Sequence, residues 1–169
     1  LQMGSLNDAV DTMAECLSDA DFETAAMVTG PLVGETGVDR GFDHYWYREP
    51  EDRIDGEWFD TGVGKMGSLS EPFFLYLHLW EIHEPVTVPS AFDHPEYGST
   101  EYGRAFSALD RSIGEFVDEA PDNTLVALHG DHGESLPWAN RLHQLPAKVL
   151  RDLLRHYGGL DTRGIERRI

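Results

Sequence analysis

Two apolar runs with no polar alternation constrain this chain most. They are residues 73–80, Phe-Phe-Leu-Tyr-Leu-His-Leu-Trp, and residues 124–128, Thr-Leu-Val-Ala-Leu. Strands covered on both faces of a parallel sheet read this way, whereas a half-solvated strand alternates. Between them, Tyr102, Phe106, Leu109, Ile113, Phe116 and Val117 recur at helical spacing, and Ser99 or Thr100 can cap a helix running to about residue 119. Strand, helix, strand in that order is a parallel crossover unit of right-handed sense. The expected fold class is therefore α/β with a mainly parallel sheet.

In open α/β sheets ligands bind beyond the carboxyl ends of the strands. The first run ends in Glu81-Ile82-His83-Glu84-Pro85 and the second in His129-Gly130-Asp131-His132-Gly133-Glu134. The crossover places both loops at one end of the sheet. Asp131 and His132 could give an oxygen and a nitrogen to one metal ion; the plain alternative is an ordinary strand-to-loop turn. His83 lies just past its run, ahead of a proline that stiffens the loop, and the plain alternative is a histidine that only braces the turn. His78, inside the run, reads as a core or interface histidine.

Upstream, residues 5–20 read as a helix with Leu6, Val10, Met13, Ala14 and Leu17 on one face and a capped start at Ser5 with Asp8. Cys16 sits in that pattern and reads as a buried thiol. As the lone cysteine it excludes an internal disulfide framework and a cysteine zinc site. Residues 22–28 read as a short strand, closed by Thr29-Gly30-Pro31. The aromatic cluster of residues 41–47 reads as an anchoring plug into the core. Residues 48–70, polar and glycine-rich, read as a long surface excursion with room for a short helix and a part in a substrate rim. Residues 146–157 read as a helix with a proline near its start and glycines as its stop, followed by a solvated tail.

The length of 169 residues suits one domain or part of a larger one. Thirty-one acidic residues against 13 basic ones give a formal charge of −18. Such a surface repels nucleic acid and anionic membranes, and no apolar run reaches the ~18 residues of a membrane span. Only Lys65 and Lys148 are lysines. An acidic, lysine-poor surface fits the cytoplasm of a salt-loving organism, where high salt screens self-repulsion. No EF-hand spacing is present, which argues against a cation buffer.

Three ordered motifs, FFLYLHLWEIHEP, EYGRAFSALDRSIGEFV and NTLVALHGDHGES, resemble the back half of a sulfatase-family catalytic domain. Upstream, DFETAAMVTGPL and VDRGFDHYW resemble the family's Gly-Tyr-x-Thr strand and Gly-Phe-Asp segment. The resemblance implies an alkaline phosphatase-like three-layer α/β sandwich with a mainly parallel sheet, incomplete in this chain. It implies hydrolysis of a small-molecule or carbohydrate sulfate ester with a divalent metal, calcium foremost, magnesium or manganese otherwise. Matching positions make Asp131 and His132 metal ligands and His83 the catalytic histidine, with His129 and Glu134 in supporting places around them. The family's Cys/Ser-x-Pro-x-Arg nucleophile signature has no counterpart, nor has its amino-terminal Asp-Asp pair, and Thr29-Gly30-Pro31 stands where the family has Lys-x-His. Residues 1–135 are thus expected to be the central and back part of the catalytic domain and residues 136–169 a divergent end, the chain being inactive by itself. A phosphatase or phosphonate-ester hydrolase of the same superfamily, and a degenerate non-catalytic binding domain, are the alternatives.

Overall fold

The computed structural model describes residues 5–133 apart from residue 8. The chain divides into two compact units, Leu1–Ala127 and Leu128–Ile169. The expected helix at 146–157, the tail after it and Glu134 lie outside the described residues.

The first unit is built on a three-stranded parallel sheet. Strand β1 (Glu23–Val28) lies between β2 (His44–Tyr47) and β3 (Phe73–Leu77). The register sets Met27 beside Trp46 and Leu77, and Val28 beside Tyr47. All three strands therefore end at one edge, where Thr29, Arg48 and His78 leave the sheet. Helix α1 (Met13–Ser18) precedes β1, α2 (Phe59–Met66) connects β2 to β3, and α3 (Glu101–Asp118) follows β3. A mixed α/β fold with a small parallel sheet is thus what the crossover pattern requires.

Met27 on β1 joins Ile54, Met66, Leu109 and Phe116 in one buried cluster, with Leu75 and Leu77 from β3 and Trp46 from β2 packed against it. Phe59 of α2 meets Phe116 of α3 edge to face, with ring centroids 6.2 Å apart, a favoured geometry for aromatic pairs. β1 and β2 are also locked at their amino ends. Thr24 N donates to Asp43 Oδ2 at 2.9 Å, and Asp43 N donates back to Thr24 O at 2.9 Å and to Thr24 Oγ1 at 3.0 Å. The threonine of the Gly-Tyr-x-Thr-like strand and the aspartate of the Gly-Phe-Asp segment are therefore partners in a structural knot. Gly41, at φ 82°, admits α1: a Cβ there would lie 2.2 Å from Glu15 N.

Several expectations are corrected. The amino-terminal helix is Met13–Ser18, not residues 5–20, because Thr12 and Glu15 form a complete capping box that starts it there. Thr12, not Ser5, is therefore its cap. Val10 and Met13 are exposed, and so is Cys16, whose burial the longer apolar face had implied. Residues 48–70 are not simply a surface excursion, since they carry the fully buried Ile54 and the helix α2. The helix at 100–119 is present and capped by Thr100, which accepts from Gly103 N at 3.0 Å. Its buried face, however, is Ala105, Ala108, Leu109, Ser112 and Phe116, while Phe106 and Val117 are exposed. Small residues let the helix approach closely, and hydrophobicity alone does not report that. The most buried strand is β1 rather than β3, which among the described residues is an edge strand and half-buried throughout. Residues 124–128 form no strand there, and Leu125 is 94% exposed. A β-branched apolar run states what a strand would bury, not which neighbour completes its ladder.

Candidate active site

His83 is reached from the carboxyl end of β3 by a tight turn. Its backbone N–H donates to Trp80 O at 3.0 Å, and its imidazole stacks on the Trp80 indole with centroids 3.8 Å apart and planes 13° from parallel. The backbone of Gly30, at φ 64° beyond the end of β1, also lies against this indole: a Cβ there would sit 2.8 Å from Trp80 ring atoms. Any side chain at position 30 would displace the indole on which His83 rests. Gly30 is thus where the loops after β1 and β3 meet.

Beneath the turn lies a buried ion pair. Glu81 Oε1 is 2.9 Å from Arg48 Nη2, with both side chains 1% exposed. Glu81 Oε1 also accepts from Ile54 N at 2.7 Å, and Oε2 from Trp80 N at 2.7 Å. Arg48 leaves β2 at the same edge. It donates from Nη1 to Asp52 O at 2.5 Å and from Nη2 to His78 O at 3.3 Å, and its guanidinium lies 5.3 Å from the Trp58 ring centre. The pair therefore ties the loops after β2 and β3 together. Thr29 Oγ1, also at this edge, is fully buried and has no hydrogen-bond partner among the described residues.

Asp131 and His132 belong to the second unit and are exposed. The structure brings these two together: His132 Nε2 is 3.6 Å from Asp131 Oδ2, and His132 N donates to Asp131 Oδ1 at 2.9 Å. His132 Nδ1 lies 3.3 Å from Gly133 O. His129 is exposed in the same stretch. One carboxylate and one imidazole suit one flank of a divalent cation's coordination shell. Among the described residues, no group of three or more His, Cys, Asp or Glu side chains could hold a metal ion. The donors described thus fit part of such a site and do not complete it.

Sequence reasoning missed Arg48, Glu81, Trp80 and Gly30. One signal was available: a charged Glu81 inside an otherwise apolar stretch demands a buried partner, and arginine is the residue best suited to supply one. The partner's position, in a segment read as surface, was not legible.

The family model described as Sulfatase matches residues 3–156, and the chain belongs to that family. Mouse Arylsulfatase G is 30% identical over 83 residues, which cover 47% of this chain and 15% of that protein. The chain thus spans a small fraction of this relative's length. No solved structure matches it. Membership gives the family-level reading of a sulfatase-like hydrolase with alkaline phosphatase-like architecture. Sulfatases act on sulfate esters and generally use a divalent metal.

Proposed function

We propose that this chain is part of a hydrolase that cleaves a small-molecule or carbohydrate sulfate ester with a divalent cation, calcium foremost. The match to the sulfatase family across most of the chain carries this reading. Asp131 and His132 supply two of the cation's ligands, with His129 and Glu134 in support. The chemistry a bound cation supplies is polarisation of the ester's oxygen. His83 is the proton donor to the departing alcohol or phenol oxygen; an imidazole can hold and release a proton near neutral pH, as such a step requires. Its ring is half-buried and held flat against Trp80, which restricts where that proton can be delivered. The nucleophile and the remaining ligands come from outside these residues, so the chain by itself has little or no activity.

The test is turnover of an aryl sulfate, with an aryl phosphate in parallel, in high salt with calcium. It is run on this chain and on a longer polypeptide that contains it. The longer protein should hydrolyse the sulfate, and His83→Ala should lower that rate by about 100-fold, the scale of a general acid. Metal-dependent turnover by this chain alone would refute its inactivity, and preference for the phosphate would make the protein a phosphatase of the same superfamily. One observation favours a second reading, a non-catalytic binding domain: Thr29-Gly30-Pro31 stands where the family has Lys-x-His. That reading predicts no turnover from the longer protein and a function indifferent to Asp131→Ala.

A further inference from the structure

We infer that Glu81, locked by Arg48, is the positioning residue that fixes the His83 imidazole against Trp80. The inference rests on the reading of His83 as the proton donor and deepens it.

Trp80 N donates to Glu81 Oε2 and Trp80 O accepts from His83 N, so both backbone polar groups of Trp80, one in each peptide flanking its Cα, are committed. Glu81 thus sets the start of the turn with one carboxylate oxygen and is itself held by the other. Its Oε1 takes the Ile54 amide at 2.7 Å and the Arg48 guanidinium at 2.9 Å. Ile54 is fully buried in the core cluster, and Arg48 continues from β2. Arg53, paired with Asp55 through two contacts of 2.6 Å, also reaches the turn: its Nη1 lies 3.5 Å from Glu81 O.

A buried ion pair is weak evidence for stability, because desolvation offsets much of the attraction. Specific geometry is the better account here. The carboxylate accepts from three donors, two in the connection after β2 and one in the turn after β3, and the last is the backbone N–H of Trp80 itself. Rotation of that peptide would swing the indole off Gly30 and His83 off the indole. A shift of about 1 Å in a catalytic group costs on the order of 100-fold in rate, so such a clamp belongs where a proton must be delivered to one atom.

The test uses Glu81→Gln in this chain and nuclear magnetic resonance of the His83 ring protons. In the unaltered protein, stacking on Trp80 should shift them upfield, and Trp80→Leu identifies that contribution. The glutamine keeps the shape but turns an N–H donor toward a backbone N–H on one side. The upfield shift should therefore be lost while the amide signals of β1 and β3 stay in place. Retention of the shift in a folded Glu81→Gln protein would overturn the inference. Should that variant fail to fold, Arg48→Met with Glu81→Leu removes both charges and keeps apolar volume, and the same loss is expected. Amide exchange in the unaltered protein gives a check free of mutation: the Trp80 and Ile54 amides should be protected together, and an unprotected Trp80 amide would contradict the clamp. If the stack is lost as expected but His83→Ala leaves aryl sulfate turnover by the longer protein untouched, the catalytic role of His83 fails and the clamp stands.

Discussion

At the residue scale, two titrating groups report on the sheet from opposite directions. Burial pushes the Tyr45 phenol up to about 12 from its ordinary 10.0, with nearby Asp39 adding to the effect. Tyr45 Oη donates to Leu32 O at 3.0 Å. The folded protein holds this proton more tightly than the unfolded chain. Stability is therefore whole below pH 10.0 and declines as pH rises toward about 12. Glu23 has the opposite sign. The Ser70 backbone amide first, and His44 next, hold its carboxyl below the ordinary 4.5. Its contribution is present above pH 4.5 and is lost as pH falls through the lower folded value. Urea midpoints across pH should fall at both ends. Tyr45→Phe should flatten the alkaline limb and Glu23→Gln the acid limb, and unchanged limbs would contradict these assignments.

At the scale of elements, the capping box decides where α1 begins. Thr12 Oγ1 accepts from Glu15 N at 3.0 Å, and Glu15 Oε2 accepts from Thr12 N at 2.7 Å. Thr12→Ala should cost about 1 kcal/mol, read from urea unfolding, whereas Ser5→Ala should cost nothing measurable. The contrast shows what the sequence made legible. The parallel α/β class, the 22–28 strand, the strand before His83 and the Thr100 cap all follow from local pattern and composition, and local pattern survives folding. The α1 boundary needed the choice between Ser5 with Asp8 and Thr12 with Glu15, and apolar periodicity favoured the wrong one. The buried face of α3 needed to know that Ala105 and Ala108 allow closer packing than Phe106 or Val117 would. Of the candidate site, the place of His83 just past β3 was legible because histidine after an apolar run is conspicuous. Arg48 and Glu81 meet across 33 positions of sequence, and no local pattern encodes such a pair.

Over the whole molecule, the charge of −18 with only two lysines sets the response to salt. Raising ionic strength from the physiological range to 1 M shortens the screening length from ~8 Å to ~3 Å and relieves self-repulsion. Thermal unfolding in increasing potassium chloride should shift upward. A flat response would remove the case for a salt-loving source.

Asp131 and His132 are the proposed ligands of the divalent cation, and cation binding at those two residues can be measured. Manganese added to the isotope-labelled chain should broaden the Asp131 and His132 signals first. Calcium should reverse the broadening, and Asp131→Asn with His132→Ala should abolish it. With two protein ligands, only one of them an oxygen donor, calcium affinity should be weaker than the roughly 10⁻⁴–10⁻³ M of extracellular modules that offer a full oxygen shell. Broadening spread evenly over the acidic surface, unchanged in the double variant, would contradict the claim.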